Sequence, residues 1–254
     1  MKKWLIALGA LVVLLAAGVM ILLLSLNSIV ETAVNGEAPK ITGTSVHLDK
    51  ADISLLAGKA TLSGFTLGNP AGFGGDAVKL GSVAVELDTA TVFDDVIVIR
   101  RVNVENPELF YVLNGNESNF DVILRNVQNY ADSHAGAPSA ASSDETKKDE
   151  NKKEKKVIID ELLIRNARAT LNVPKLGLSV DTPLPEIRLT DIGREKSGTS
   201  FAEAALLVVR SVTASLADAT VSQSKKLGST LLRTGEKAES KAKTLLKDGL
   251  NLFK

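Results

Sequence analysis

The chain has no cysteine, only two histidines, and no net charge across its 254 residues. Without cysteine it can form no disulfide, no thiolate nucleophile and no cysteine-based metal site. His47 falls in a strand pattern and His134 in a polar linker, and neither has a partner at metal-ligand spacing, so both read as incidental. Thirty basic residues balanced by thirty acidic ones leave no electrostatic footprint for nucleic acid. Catalytic signatures are lacking too. There is no G-x-S-x-G elbow. The glycine-rich "GNPAGFGGDAVKLG", residues 68–81, lacks the G-K-[ST] ending of a phosphate loop and leads into no helical pattern. It reads as a strand connection opened by Asn69 and Pro70. The expectation is a protein that is not an enzyme and needs no cofactor or metal.

What is present begins with "LIALGALVVLLAAGVMILLL", residues 5–24, which holds no polar side chain. As a helix this run spans about 30 Å, the thickness of a bilayer's hydrocarbon core. A cleaved signal would have an apolar region of only ~7–15 residues and a small-x-small cleavage site. The following "SLNSIVETAVNG" offers no such site, so the run reads as an uncleaved anchor. Lys2 and Lys3 precede it and the next basic residue is Lys40, which leaves the N-terminus in the cytoplasm and the bulk of the chain across the membrane. A cysteine-free exported chain fits the periplasm of a Gram-negative cell, with the anchor in the inner membrane.

From Lys40 to about Leu113, short runs of period two alternate with Gly, Asn and Pro, as in "TSVHLD", "KATLSGFTL" and "DVIVIRRVNV". This is the pattern of antiparallel strands. Phe120, Ile123, Leu124 and Val127 then recur at helical spacing. Residues 131–156 carry almost no large apolar side chain and are expected to be a disordered charged linker. Strand patterning resumes at Val157. Ser200 with Glu203 forms a capping box, followed by Phe201, Ala205, Val208, Val212 and Leu216 at helical intervals. Residues 225–254 carry a second apolar stripe and a basic excess, which suits either an anionic membrane surface or packing on the protein itself. The expected organisation is a cytoplasmic stub and anchor over 1–30 and a first β-rich segment over 31–130. The linker over 131–156, a second β-rich segment over 157–198, and amphipathic helices with a basic tail over 199–254 complete it.

The segment "RVNVENPELFYVLNG", residues 101–115, changes phase partway along: Val102 and Val104 fall on even positions, Leu109, Tyr111 and Leu113 on odd ones. Shifted by 60 residues the chain lies over itself, with Ile99 over Ile159, Val102 over Leu162, Val104 over Ile164, Asn106 over Asn166 and Tyr111 over Leu171. The same phase change recurs across Asn166 and Ala167. Because alternate side chains point to opposite faces, such a switch keeps one apolar set on one side of a sheet past a corner. Two readings remain: a bent sheet burying its own core, or a curved sheet whose apolar side stays open.

These strands, the anchor, and the run of Gly115, Asn119, Phe120, Ile123 and Leu124 resemble the AsmA-like family of bacterial envelope proteins, as does "LPEIRLTDIG", residues 184–193. The resemblance implies a curved, taco-like antiparallel sheet behind one transmembrane helix, related to the apolar groove of chorein-type lipid-transfer proteins. It further implies a role in lipid transport or outer-membrane homeostasis, with membrane lipids as the partners. Val102, Val104, Leu109, Tyr111, Leu162, Ile164 and Leu171 are the expected groove-lining residues. The alternative is an assembly protein whose residues 200–254 dock an envelope partner or a second copy.

Overall fold

The computed structural model describes residues 25–134, 155–174 and 178–223. The chain divides into two compact units, Met1–Thr213 and Ala214–Lys254; the sheet belongs to the first. A helix, α1, covers residues 25–42. Five strands follow: β1 (Val46–Ser54), β2 (Lys59–Gly68), β3 (Asp76–Leu87), β4 (Val96–Glu105) and β5 (Glu108–Asn114). After the two-residue β6 (Glu117–Ser118) comes the helix α2 (Asn119–His134). The remaining strands are β7 (Lys156–Arg165), β8 (Arg168–Val173), β9 (Leu178–Pro183) and β10 (Ile187–Ile192). A last helix, α3, runs over Phe201–Gln223.

Several of these strands are halves of longer ones. β4 and β5 lie end to end along β3, with Val104 opposite Val83 and Leu109 opposite Val78. β7 and β8 lie along β4 and β5, and β9 and β10 along β8 and β7. Neighbours in space are therefore neighbours in sequence, from β1 at one edge to β9 and β10 at the other. The expectation of a wholly antiparallel sheet is corrected at one junction: β4 pairs β7, and β5 pairs β8, in parallel. The chain between them contains α2 and returns to the end of the sheet where β4 began. A crossover of this length is what a parallel pair requires.

The offset of 60 residues read from the sequence is the register of that junction. Ile99 faces Ile159, Val102 faces Leu162, Val104 faces Ile164 and Tyr111 faces Leu171. The phase change is a crease. Asn106 and Asn166 both take left-handed backbone angles, φ 53° and 54°, a region that asparagine tolerates better than most residues. Sheet bonding continues across it, from Asn106 N–H to Arg165 O (3.0 Å), Arg168 N–H to Pro107 O (2.9 Å) and Leu184 N–H to Ala167 O (2.9 Å). The crease extends to the other edge. Leu48, Phe65 and Leu80 pair on one side of it and Ala51, Leu62 and Val83 on the other. Gly64 lies on the line with φ 66°, and a Cβ there would sit 1.9 Å from Asp49 Oδ2.

α1 seals the β1 edge. Asn27 Oδ1 accepts from Ile53 N–H at 2.9 Å, Glu31 Oε1 from Ala51 N–H at 2.7 Å and Asn35 Oδ1 from Leu48 N–H at 2.7 Å. Asn35 Nδ2 also donates to Leu48 O, so its amide stands in for a neighbouring peptide. Four helical residues advance ~6 Å and two strand residues ~6.6 Å, so acceptors four apart meet edge N–H groups two apart at Ile53 and Ala51, and three apart from Ala51 to Leu48, where the crease at Asp49 intervenes. Gly43, at φ 67°, ends the helix with its N–H bonded to Pro39 O.

At the start of α3 the expected capping box is formed. Glu203 N–H donates to Ser200 Oγ at 3.1 Å and Ser200 N–H to Glu203 Oε2 at 3.2 Å. Ser200→Ala should cost about 1 kcal/mol, read as a lower thermal midpoint in circular dichroism.

Candidate functional site: the apolar face

The cross-strand register sorts the sheet into two chemically distinct faces. Ile53, Ala60, Val85, Val102, Leu162 and Leu189 follow one another across six strands, and so do Ala51, Leu62, Val83, Val104, Ile164 and Ile187. Beyond the crease, Val46, Leu67, Val78, Leu109 and Ala169 continue the face across five strands. Directly opposed side chains share a face, so an uninterrupted apolar surface runs from one sheet edge to the other.

All seven residues expected from the sequence lie on this face. Val104, Leu109, Tyr111, Leu162, Ile164 and Leu171 are buried and Val102 is half-buried. Val102 pairs Leu162, Val104 pairs Ile164 and Tyr111 pairs Leu171, while Leu109 pairs Ala169. α2 lies over β5. Its Phe120 stacks on Tyr111 with ring centroids 6.3 Å apart, and Ile123, Val127 and Ala131 extend its buried stripe. Asn119 fixes the helix in place. Its Oδ1 accepts from Val112 N–H at 2.9 Å, and its Nδ2 donates to Phe110 O at 2.7 Å and to Asn69 Oδ1 at 2.6 Å. Asn69 in turn holds the β2–β3 connection closed through Gly74 O and Asp76 O. Asn126 Nδ2 binds Thr42 O at the end of α1, and Arg210 of α3 donates to Gln128.

Sequence reasoning missed a cavity of about 560 Å³ between β10 and α3. Leu189, Ile192, Leu206 and Leu207 supply its apolar wall, and Lys196 and Glu203 are among its polar lining, paired at 3.7 Å. Leu189 and Ile192 belong to the rows of the apolar face, through Leu162 and Ile159. None of the seven expected residues lines this cavity.

The opposite face is ionic. Glu86, Arg101 and Glu161 occupy one row, and Arg101 Nε donates to Glu161 Oε2 at 2.9 Å while Arg188 binds the other oxygen. The bond from Arg101 holds the Glu161 carboxyl below the usual carboxylate range. Alternating charge in neighbouring strands suits a solvated surface. His47 pairs with Asp49 in the open, His134 stacks on Tyr130, and no metal-binding cluster occurs among the described residues.

The helix among the described residues that is long and apolar enough to cross a membrane is α3, with mean hydropathy 1.5. Its Ala202, Ala204, Leu206 and Val212 are buried. The apolar run 5–24, the central part of the charged linker and the basic stretch 225–254 lie outside the described residues.

The described residues form a mainly β domain with one apolar and one ionic sheet face. The family model of the AsmA family matches residues 1–236, and the chain belongs to that envelope-associated family. No curated protein and no solved structure is significantly similar to it.

Proposed function

We propose that this chain is an inner-membrane-anchored periplasmic protein that holds the acyl chains of a phospholipid against the apolar side of its sheet, in lipid transport or outer-membrane homeostasis. The observation that carries this reading is the apolar surface reaching from β1 to β10 and meeting, at Leu189 and Ile192, a cavity of about 560 Å³. That volume falls within the ~300–1,000 Å³ of small-molecule sites, and each methylene buried contributes ~0.8 kcal/mol. Val102, Val104, Leu109, Tyr111, Leu162, Ile164 and Leu171 back this site from the same face of the sheet, all but Val102 buried. Residues 5–24 are the anchor, with the N-terminus in the cytoplasm. In this reading no reaction is catalysed.

The test is mass spectrometry of lipids retained by residues 25–254 secreted to the periplasm; beginning at Ser25 keeps Asn27, which binds the β1 edge. Stoichiometric phospholipid is expected. Leu207→Asp is expected to abolish retention with the fold intact, since Leu207 lines the cavity yet is 43% exposed. Lipid-free, folded wild-type protein overturns the reading.

A second reading, a non-catalytic assembly protein whose residues 200–254 dock an envelope protein, draws support from the apolar side chains that α3 leaves exposed, Phe201 and Leu207. It predicts that deleting residues 200–254 loses the partner and leaves the lipid content unchanged.

A further inference from the structure

The most exposed large hydrophobic side chains of the sheet unit are Leu56, at 95%, and Phe93, at 75%. Each sits in a connection, Leu56 between β1 and β2, Phe93 between β3 and β4. Both connections are at one end of the sheet. Leu87 N–H donates to Gly58 O at 2.7 Å, which ties the first connection to the end of β3. Lys155 Nζ donates to Val92 O at 3.0 Å, and Lys156 N–H to Asp95 O at 2.9 Å, which tie the second to the start of β7. Val157 exchanges backbone bonds with Thr199, two residues before Phe201, itself 52% exposed. α1 arrives at this end as well: Asn27 binds Ile53, next to the β1–β2 turn, and Ile29 beside it is 55% exposed.

Asn27 follows the apolar run 5–24 by only three positions. The sheet end that carries the exposed apolar tips is thus the end at which the chain arrives from its anchor. Elsewhere in the unit an exposed apolar side chain is unremarkable when single. Here four converge beside a membrane-length segment. We infer that this end of the sheet docks on the bilayer, with Leu56 and Phe93 buried among the lipids of the leaflet from which the anchor emerges. Apolar insertion carries the contact, because the charges around the tips are of both signs: Lys59, Lys155 and Lys156 stand against Asp88, Asp94 and Asp95. The cavity between β10 and α3 is at the same end, since its Thr199 pairs with Val157 at the start of β7. Docked this way, its mouth lies near the membrane surface. The inference rests on the anchor reading of residues 5–24 but not on lipid retention.

The absence of cysteine allows a direct test in the full chain, reconstituted into vesicles of phosphatidylethanolamine and phosphatidylglycerol. Single variants Leu56→Cys, Phe93→Cys, Asn116→Cys and Val13→Cys carry a nitroxide whose collisions with oxygen and with a water-soluble nickel complex are compared. Asn116 lies in the turn between β5 and β6, at the opposite end, and reports the aqueous baseline. The expected result is an oxygen-to-nickel ratio at positions 56 and 93 raised several-fold over position 116. Ratios at 56 and 93 equal to that at 116 overturn the inference. Position 13 reports the anchor separately, so an aqueous ratio there sinks the anchor reading, while a membrane ratio there with aqueous tips sinks only the docking.

Discussion

Asn119→Leu should destabilise the sheet unit by about 4 kcal/mol, seen as a large fall in the urea midpoint followed by circular dichroism. Asn119 is wholly buried, and its amide satisfies Val112 N–H, Phe110 O and Asn69 Oδ1 at once. A leucine of similar size leaves those groups in a site that water cannot enter, and each orphaned buried group costs about 1–3 kcal/mol. Asn119→Asp should fail as badly, because a carboxylate would face two oxygens where the amide now donates. Asn129→Leu, on the exposed side of the same helix, is the control and should leave the midpoint nearly unchanged. The asymmetry follows from geometry. Asn119 joins the first turn of α2 to the middle of β5 and, through Asn69, to the β2–β3 connection 50 residues earlier. Its loss should therefore loosen the helix that covers Tyr111 as well as the strand beneath it, exposing part of the apolar face.

The helix stripe of α2, the capping box of α3 and the repeated phase change were legible in the sequence because each depends on residues close together in the chain. The 60-residue overlay was legible too, and its meaning was recoverable. An antiparallel pair keeps the sum of its residue numbers constant, whereas a parallel pair keeps their difference constant. The correspondence of Ile99 with Ile159 and of Tyr111 with Leu171 is a constant difference. The antiparallel expectation failed because the hairpin pattern of β1 to β3 was extended across a junction that contains a helix.

The crease was only half visible. Asn106 and Asn166 interrupt long runs, so their phase changes stand out. In β1 to β3 the same line passes through Asp49, Gly64 and Gly81, where glycine reads as ordinary punctuation and each half-run is two or three residues long. The cavity was harder still. Leu206 and Leu207 fall off the stripe of Phe201, Ala205, Val208, Val212 and Leu216 read from the sequence, and Asp191, at φ 55°, shifts the phase of β10 just before Ile192. Its wall exists only once β10 and α3 are placed side by side. All seven predicted groove-lining residues do share one face, because cross-strand rows follow from alternation once the register is known.

Least visible of all was the sealing of the β1 edge, and its removal should have the second large effect. In the triple variant Asn27→Ala, Glu31→Ala, Asn35→Ala, the N–H groups of Ile53, Ala51 and Leu48 lose their acceptors together. If α1 stays packed, three unsatisfied donors should cost about 3 kcal/mol or more. If α1 lifts away, water satisfies the donors but β1 becomes an open edge, ready to pair with another chain. Both routes lower stability, and the second adds association. The expected result is therefore a reduced urea midpoint together with a concentration-dependent rise in mass by light scattering, absent from wild type. The far edge should not compensate, because Pro183 and Pro185 interrupt donation along β9 and its junction with β10. A triple variant that remains monomeric and as stable as wild type would show that the helix rests on β1 without protecting it.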